Sequence, residues 1–191
     1  MYERKGEYHN EFIRKQDNPK ASTILIYNGD VQYSRKNDMI MSMLNQVMTL
    51  VYTEKVREDE GGTYGVGVWG SLSRIPVEKG TFMIQFDTDP DKRDKLMEII
   101  YRELKTVSTD GPSAVNLKKV KENMLKKQKE LLNENGFWTS AIRTYLTTGI
   151  DFVDGYDELV NSISGNDIRD FANKFFSQEN KAEVIMVSPE K

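Results

Sequence analysis

Apolar positions recur with two different spacings along the chain, and each spacing predicts a type of element. Residues 22–27 are mostly β-branched, aliphatic or aromatic, which is typical of a strand. The Asn28-Gly29-Asp30 run after them predicts a tight turn and a short hairpin. From residue 37 the apolar positions lie three and four residues apart, which predicts a buried helix ending near residue 58 or 59. Gly61 and Gly62 favour its termination.

The middle of the chain predicts two longer strands and then helices. Residues 63–72 and 81–88 both alternate, and a loop containing Pro76 joins them, so we expect an antiparallel pair. Asp89 and Pro90 are typical of a helix start. Ser113 is expected to cap a long helix that Gly136 closes.

The rest of the chain completes a mixed pattern of helices and strands. Further helices are predicted over residues 138–146, 156–163 and 167–176, and a last strand over residues 182–187. Ser164 and Asp167 have the spacing of a capping box, with Asp in place of Glu. This order predicts an α+β fold, a two-layer module in which helices cover a mostly antiparallel sheet. The polar residues 1–20 read as a linker or N-terminal arm, and residues 21–191 as a single domain. Such an abrupt polar beginning suits a segment of a longer chain.

Composition narrows the chemistry that this chain can perform by itself. Among 191 residues there are no cysteines and one histidine, His9. A zinc site normally takes most of its ligands from His and Cys, so we expect no metal site and no disulfide in this chain. His9 lies in the polar arm, and we expect it to be a surface residue.

Charge and hydropathy give no sign of nucleic-acid binding or of a membrane span. The net charge of −3 provides no broad attraction to nucleic acid, and no apolar run approaches the length of a membrane-spanning helix. A soluble protein in the cytoplasm or in the bacterial cell envelope fits this composition equally well.

The stretch from residue 51 to residue 70 holds the best candidates for chemistry. It places Arg57 in the last turn of a predicted helix and Tyr64 at the start of the next strand, with two glycines between them. A helix, a reversal and a strand fold the chain back on itself, so two side chains seven residues apart can reach one point. A guanidinium and a phenol are both donors suited to a substrate carbonyl or an oxyanion. By spacing alone, a helix-end cation and a packed aromatic residue remain the simpler interpretation.

The run REDEGGTYGVGV resembles the arginine–tyrosine motif in the C-terminal domain of insulinase and pitrilysin zinc metallopeptidases, the M16 family. The order of elements over residues 20–190 is similar to that family's repeated module. The resemblance implies that an N-terminal half, fused or separate, holds zinc on an inverted His-x-x-Glu-His motif, and that the two halves enclose a chamber for peptides. It further implies that Arg57 and Tyr64 bind the substrate backbone and stabilise the tetrahedral intermediate. This chain lacks the zinc motif, so by itself we expect it to be inactive.

Three other patterns have simpler explanations. The G-x-G-x-x-G match at residues 65–70 falls inside a predicted strand and does not open a helix, so a dinucleotide site is not expected. Glu58, Asp59 and Glu60 read as a solvated helix end. Acidic residues interrupt the lysines of residues 118–129, which predicts a solvated helix face.

Two alternatives to the peptidase hypothesis remain open at this point. One is a non-catalytic structural or peptide-binding module built on the same fold. The other is an α+β interaction domain unrelated to peptidases, for which the motif match would be accidental.

Overall fold

The computed structural model describes residues 5–60 and 65–188, with the side chains of residues 57–60 excepted. The described part forms five strands and six helices. The strands are β1 Glu7–Ile13, β2 Lys20–Asp30, β3 Val66–Ser73, β4 Lys79–Thr88 and β5 Lys181–Ser188. The helices are α1 Arg35–Glu60, α2 Arg93–Asp110, α3 Ala114–Leu131, α4 Asn135–Thr148, α5 Tyr156–Ser162 and α6 Gly165–Phe176. None of these helices is long and apolar enough to cross a bilayer.

The five strands form one sheet in the order β1-β5-β2-β4-β3. The pairs β5–β2, β2–β4 and β4–β3 are antiparallel, and only β1 and β5 run parallel. Helices α1 and α6 pack on the sheet, and α2 packs on both of these helices. The predicted α+β module with a mostly antiparallel sheet is therefore confirmed.

The core lies between one face of the sheet and the helices. Every second residue of β2 from Ala21 to Gly29 is buried, and the same alternation buries Phe82, Ile84 and Phe86 on β4. Helix α1 contributes the largest helical share of this core, including the fully buried Met41, Met43 and Met48. The methionines therefore pack in the core, because the three- and four-residue spacing of α1 turns them towards the sheet and the neighbouring helices.

The predicted turn at residues 28–30 is wrong, because β2 continues through it. Asn28 pairs with Thr81 on β4, and the Thr81 hydroxyl donates a hydrogen bond to Asn28 Oδ1 at 2.9 Å. The Gln178 side chain bonds both backbone groups of Asp30, accepting from its N–H at 2.7 Å and donating to its carbonyl at 3.1 Å. Pairing with distant residues therefore overrides a local preference for a turn.

Strand β1 lies within the stretch that the sequence predicts to be a linker or arm. Its side chains are nearly all exposed, since β1 is an edge strand and no helix of the described part covers it fully. An edge strand of this kind shows no apolar alternation, so the pattern of residues 7–13 gave no sign of it. Its partner, β5, is also more than 160 residues away in sequence.

The predicted helix ends are partly confirmed. The Ser113 side chain caps α3 by accepting a hydrogen bond from the Asn116 N–H. Gly136, however, does not close that helix: α3 ends at Leu131, and Gly136 lies in the first turn of α4. After Asp89, residues Pro90–Lys92 form a 3-10 turn before α2, and the Asp89 side chain makes no capping hydrogen bond.

At the start of α6, Ser164 and Asp167 form the predicted capping box. The Asp167 carboxylate also lies 2.6 Å from Lys36 Nζ at the start of α1, so this box joins two helices. The Lys36 ammonium and the hydrogen bonds from Ser164 lower the pKa of Asp167 below its ordinary value.

We predict that Asp167→Asn lowers the free energy of unfolding by about 1 kcal/mol at neutral pH, the usual effect of losing a helix cap. Urea titrations of both proteins measure this difference. The exposed Asp170, whose carboxylate lies 2.8 Å from Arg169, offers a matched control. Asp170→Asn is expected to change stability by less than about 0.5 kcal/mol.

The stability difference between wild type and Asp167→Asn should also depend on pH. A carboxyl whose folded-state pKa is lowered stabilises the fold above its unfolded pKa, near 4, and this stabilisation is lost as the pH falls towards the folded-state pKa. The stability difference between wild type and Asp167→Asn should therefore shrink below about pH 4. A difference that stays constant down to acid unfolding would contradict the role given to this carboxylate.

Candidate functional site

The candidate site lies where helix α1 gives way to strand β3. These two elements are packed together along their length. A Cβ atom on Gly70 would lie 2.8 Å from the Sδ of the buried Met41 and 3.1 Å from the Phe82 ring, so a larger residue here would require these side chains to move. Met41 belongs to the first half of α1 and Gly70 to the second half of β3. Strand β3 therefore runs back along helix α1.

The end of α1 is held firmly by its neighbours. The Tyr52 side chain is fully buried, and its hydroxyl donates a hydrogen bond to the Ile100 carbonyl of α2 at 3.1 Å. One turn further on, Val56 is also buried. On the outer side, Lys119 of α3 lies 3.3 Å from the Glu54 carboxylate. The backbone that carries residue 57 is thus fixed from two directions.

Arg57 lies within α1, in the stretch that ends at Glu60, as the sequence predicts. Its side chain, and the whole of Tyr64, lie outside the described residues. The convergence of these two side chains on one point therefore stays a prediction. The side chains of Glu58, Asp59 and Glu60 are likewise outside the described part, and their role as a solvated helix end also stays a prediction.

Beyond the reversal, β3 presents an exposed tryptophan on the outer edge of the sheet. Val68 is buried towards the helices, and Trp69, on the opposite face, is 51% exposed, as the predicted alternation requires. The Trp69 indole lies over Gly67, where an added Cβ would come within 2.4 Å of the ring. Gly65 has open space around it. Gly67 and Gly70 of the G-x-G-x-x-G match thus lie in strand β3 and Gly65 lies just before it, and Gly67 makes room for a ring.

Trp69 is a feature of the site that the sequence reasoning missed. The signal was present, since an aromatic residue between glycines stood on the predicted outer face of the strand. Aromatic residues are enriched among those that dominate protein interfaces.

A second polar cluster joins β1, β5 and α2. The Glu183 carboxylate accepts a hydrogen bond from the Tyr101 hydroxyl, and His9 Nδ1 lies 2.9 Å from the same carboxylate. Lys181 Nζ lies 3.3 Å from the Tyr101 hydroxyl and 3.3 Å from the Glu7 carboxylate. Burial and the Glu183 charge raise the pKa of Tyr101, so its hydroxyl stays protonated and donates. This cluster attaches the edge strand β1, and sequence alone could not bring its members together.

The described residues do not fit a zinc site. No group of three or more His, Cys, Asp or Glu side chains in residues 5–60 and 65–188 is arranged to hold a metal ion. His9 is 57% exposed and is already engaged with Glu183. In this part of the chain, the His9 side chain therefore makes a structural contact with Glu183, and no such group of side chains forms a metal site.

The lysine-rich face of α3 is solvated and partly neutralised, as predicted. Lys118 and Lys126 each lie 3.9 Å from a glutamate one helical turn further on. Lys119 lies near Glu54, as described above. Alternating charges of this kind do not form the continuous basic surface that nucleic acid requires.

The fold and the arrangement of the His, Asp and Glu side chains together define a class of protein. It is an α+β module without a metal-binding cluster of its own in the described part. The family model described as the peptidase M16 inactive domain matches residues 3–124. That match covers well over half of the chain, and the chain belongs to this family. No curated protein matches it in sequence.

Solved structures with a similar fold include proteases and an inactive domain from the same family. The periplasmic protease PqqL from Escherichia coli has a TM-score of 0.79 at 13% identity, over 95% of this chain and 21% of that one. The peptidase M16 inactive domain from Pseudomonas fluorescens has a TM-score of 0.76 at 16% identity, over 100% of this chain and 45% of that one. A protease from Helicobacter pylori gives 0.76 at 14% identity, over 96% and 44%. This chain thus spans a fifth to less than half of these structures.

We predict that Gly67→Ala displaces the Trp69 indole, because the new methyl group would overlap its ring. In a Trp138→Phe background, Trp69 is the only tryptophan, so its fluorescence emission reports the displacement directly. Stability should fall by no more than about 1 kcal/mol, since the ring is half exposed and can move.

Gly65→Ala is the matched control, because nothing lies within 4 Å of its added Cβ. Its emission spectrum should match that of the background protein. Identical spectra for both alanine variants would contradict the placement of the indole over Gly67.

Proposed function

We propose that this chain is the non-zinc-binding portion of a zinc metallopeptidase that cleaves peptides in an enclosed chamber. Arg57 and Tyr64 bind the substrate backbone near the scissile bond and stabilise the charge that develops on its carbonyl oxygen. The zinc-binding half is a separate domain or partner subunit. We expect the isolated chain to be inactive, because its sequence lacks the inverted His-x-x-Glu-His motif.

The observation that carries this proposal is the return of β3 along α1. Helix α1 ends at Glu60 and strand β3 begins at Val66. Arg57 lies in the last turn of α1, and Tyr64 precedes β3 by two residues in the sequence, so we expect both at one corner of the molecule, which we name the α1–β3 corner. The family match over residues 3–124 includes both of them. An arginine and a tyrosine at such a corner supply fixed donors, which need no reorganisation when charge appears on a substrate oxygen.

The neighbouring surface suits an extended peptide. Strand β3 is at the edge of the sheet and pairs only with β4 in the described part, so its outer backbone groups are available to a further strand. Trp69 adds an exposed aromatic surface next to the two glycines, where a backbone can approach. A peptide bound along this edge would reach the corner that carries Arg57 and Tyr64.

The same reasoning indicates what kind of domain pairs with this chain. The solved structures that it resembles are at least twice its length, which leaves room for another domain in each of them. We propose that such a domain holds the zinc and faces the α1–β3 corner across the chamber. The chain then contributes hydrogen-bond donors and the other half contributes the metal ligands.

A second candidate function is a structural or peptide-binding module that takes no part in catalysis. The family description, an inactive domain, favours it. In that case the β3 edge and Trp69 would bind peptide, and Arg57 and Tyr64 would have no effect on a chemical step.

Kinetics of the complete protein, with its zinc-binding half, distinguish these two functions. Tyr64→Phe removes one donor, and we expect kcat for a quenched fluorescent peptide to fall by roughly 100- to 1,000-fold, as when an oxyanion donor is lost. Arg57→Ala should lower kcat/KM by a similar order. Zinc content should stay at the wild-type level in both variants, because neither residue binds the metal.

Arg14→Ala and Tyr145→Phe are matched controls, since both residues are exposed and far along the chain from the α1–β3 corner. They should retain wild-type turnover. Unchanged turnover in both Arg57→Ala and Tyr64→Phe would contradict the composite site and favour the non-catalytic module.

A further inference from the structure

A small cavity lies between α1, α3, α5 and the start of α4. Its volume is about 170 Å³. A cavity of about 150 Å³ inside a protein can hold a benzene ring, so this one has room for a molecule of about eight non-hydrogen atoms. Its wall is mainly apolar and includes three aromatic and two polar side chains that matter below, namely Phe137, Phe152, Tyr156, Asp38 and Gln128.

Asp38 brings a carboxylate to this cavity from the first turn of α1. Within the described part of the chain, its side chain makes no hydrogen bond and no ion pair. Arg35 also lines the cavity, but its guanidinium donates a hydrogen bond to the Asp154 carbonyl at 2.7 Å. Burial therefore raises the pKa of Asp38, because water is removed from the carboxylate and no cation replaces it. A positive group beside this carboxylate would stabilise its charged form.

Gln128 brings a second polar group to the cavity, from α3. Its residue is 6% exposed, and its side chain has no hydrogen-bond partner among the described residues. Buried amides normally bond to a protein atom, a water molecule or a ligand. Its carbonyl oxygen accepts N–H donors, as the Asp38 carboxylate does. Water could bond to both acceptors, but it would leave the charge of the carboxylate without a counter-charge.

Aromatic side chains form much of the remaining wall. Phe137 comes from the start of α4, Phe152 from the loop after that helix, and Tyr156 from the start of α5. Aromatic rings attract cations through the negative charge on their faces. Rings beside a carboxylate therefore favour an organic cation over an anion. They also favour it over a hard metal ion, which needs several more oxygen ligands than this cavity offers.

We propose that this cavity binds a small organic cation, namely a primary ammonium group on an apolar stem. The ammonium group donates its N–H bonds to the Asp38 carboxylate and the Gln128 carbonyl oxygen. The stem lies among the aromatic side chains. A free amine and the lysine side chain of a peptide share this chemistry.

This site is independent of the proposed peptidase function. Asp38 and Arg57 both belong to α1 and are 19 residues apart in the sequence. At the rise of an α-helix this separation is about 28 Å. A ligand in the cavity therefore does not reach the α1–β3 corner, and either proposal can fail without the other.

Benzylamine and benzyl alcohol test the proposal as a matched pair, because they are similar in size and differ in charge at neutral pH. Amide chemical shifts of the ¹⁵N-labelled chain give the dissociation constant of each probe and the residues that respond. We expect benzylamine to bind with a dissociation constant of roughly 0.1 to 1 mM and to shift residues that line the cavity. Benzyl alcohol should bind at least about tenfold more weakly. The absence of saturable benzylamine binding, or equal affinity for both probes, would overturn the proposal.

Asp38→Asn removes the charge and keeps the shape of the side chain. We expect it to weaken benzylamine binding by at least about tenfold and to leave the affinity for benzyl alcohol unchanged. The matched control is Asp94→Asn, because Asp94 is an exposed acidic residue in the first turn of α2. It should bind benzylamine as the wild type does. Wild-type affinity for benzylamine in a folded Asp38→Asn chain would contradict the role of this carboxylate.

Two peptides distinguish the sources of the ammonium group. Acetyl-Gly-Lys-Gly-amide carries it, and the same peptide with norleucine in place of lysine does not. Binding of the lysine peptide alone assigns the site to a lysine side chain, whereas binding of benzylamine and neither peptide assigns it to a free amine. Both results support the site. Tighter binding of the norleucine peptide would overturn it, because the ammonium group would then be unfavourable in the cavity.

Discussion

Burial of helix α1 is the interaction on which the rest of this structure depends. The helix contacts β3 and also α2, α3 and α6, so it connects the sheet to most of the helical layer. Met41, Met43, Leu44, Val47 and Met48 have no exposed surface, which means that the helix is apolar over more than one face. Because α1 is fixed in this way, the position of its last turn is determined by the core.

The sequence predicted well those elements whose partners are close in the chain or whose burial is one-sided. Residues 81–88 alternate cleanly, and β4 buries Phe82, Ile84 and Phe86 as that alternation requires. The Ser113 cap of α3 and the capping box at Ser164 were predicted for the same reason, since each depends on local spacing. Such patterns indicate directly which face of a helix or strand packs against the core.

Other features depend on contacts with distant residues, so local sequence patterns could not predict them. Asn28 and Gly29 look like a turn, yet pairing with β4 keeps them in a strand. Strand β1 is almost entirely exposed, and its attachment relies on Glu183 and Tyr101, far away in sequence. Of the candidate site, the helical position of Arg57 and the strand after Tyr64 were predicted. The exposed Trp69 over Gly67 was not, because ring placement depends on three-dimensional contacts.

Membership of the peptidase M16 inactive domain family gives these features a common meaning. A module without metal ligands can still take part in catalysis if it offers donors to a substrate held against a metal elsewhere. The single histidine of this chain is engaged with Glu183, in keeping with such a division of tasks. Under the proposed function, the α1–β3 corner would be the surface at which substrate and partner meet.

Photo-crosslinking from position 64 is the most direct test of this account. Benzoylphenylalanine replaces Tyr64 in the complete protein. Removal of the zinc then leaves a bound peptide uncleaved. The account predicts that illumination attaches the peptide at position 64, whereas the same group at the exposed position 145 captures none. Capture of peptide at neither position, with peptide binding otherwise intact, would contradict a substrate-binding role for the corner.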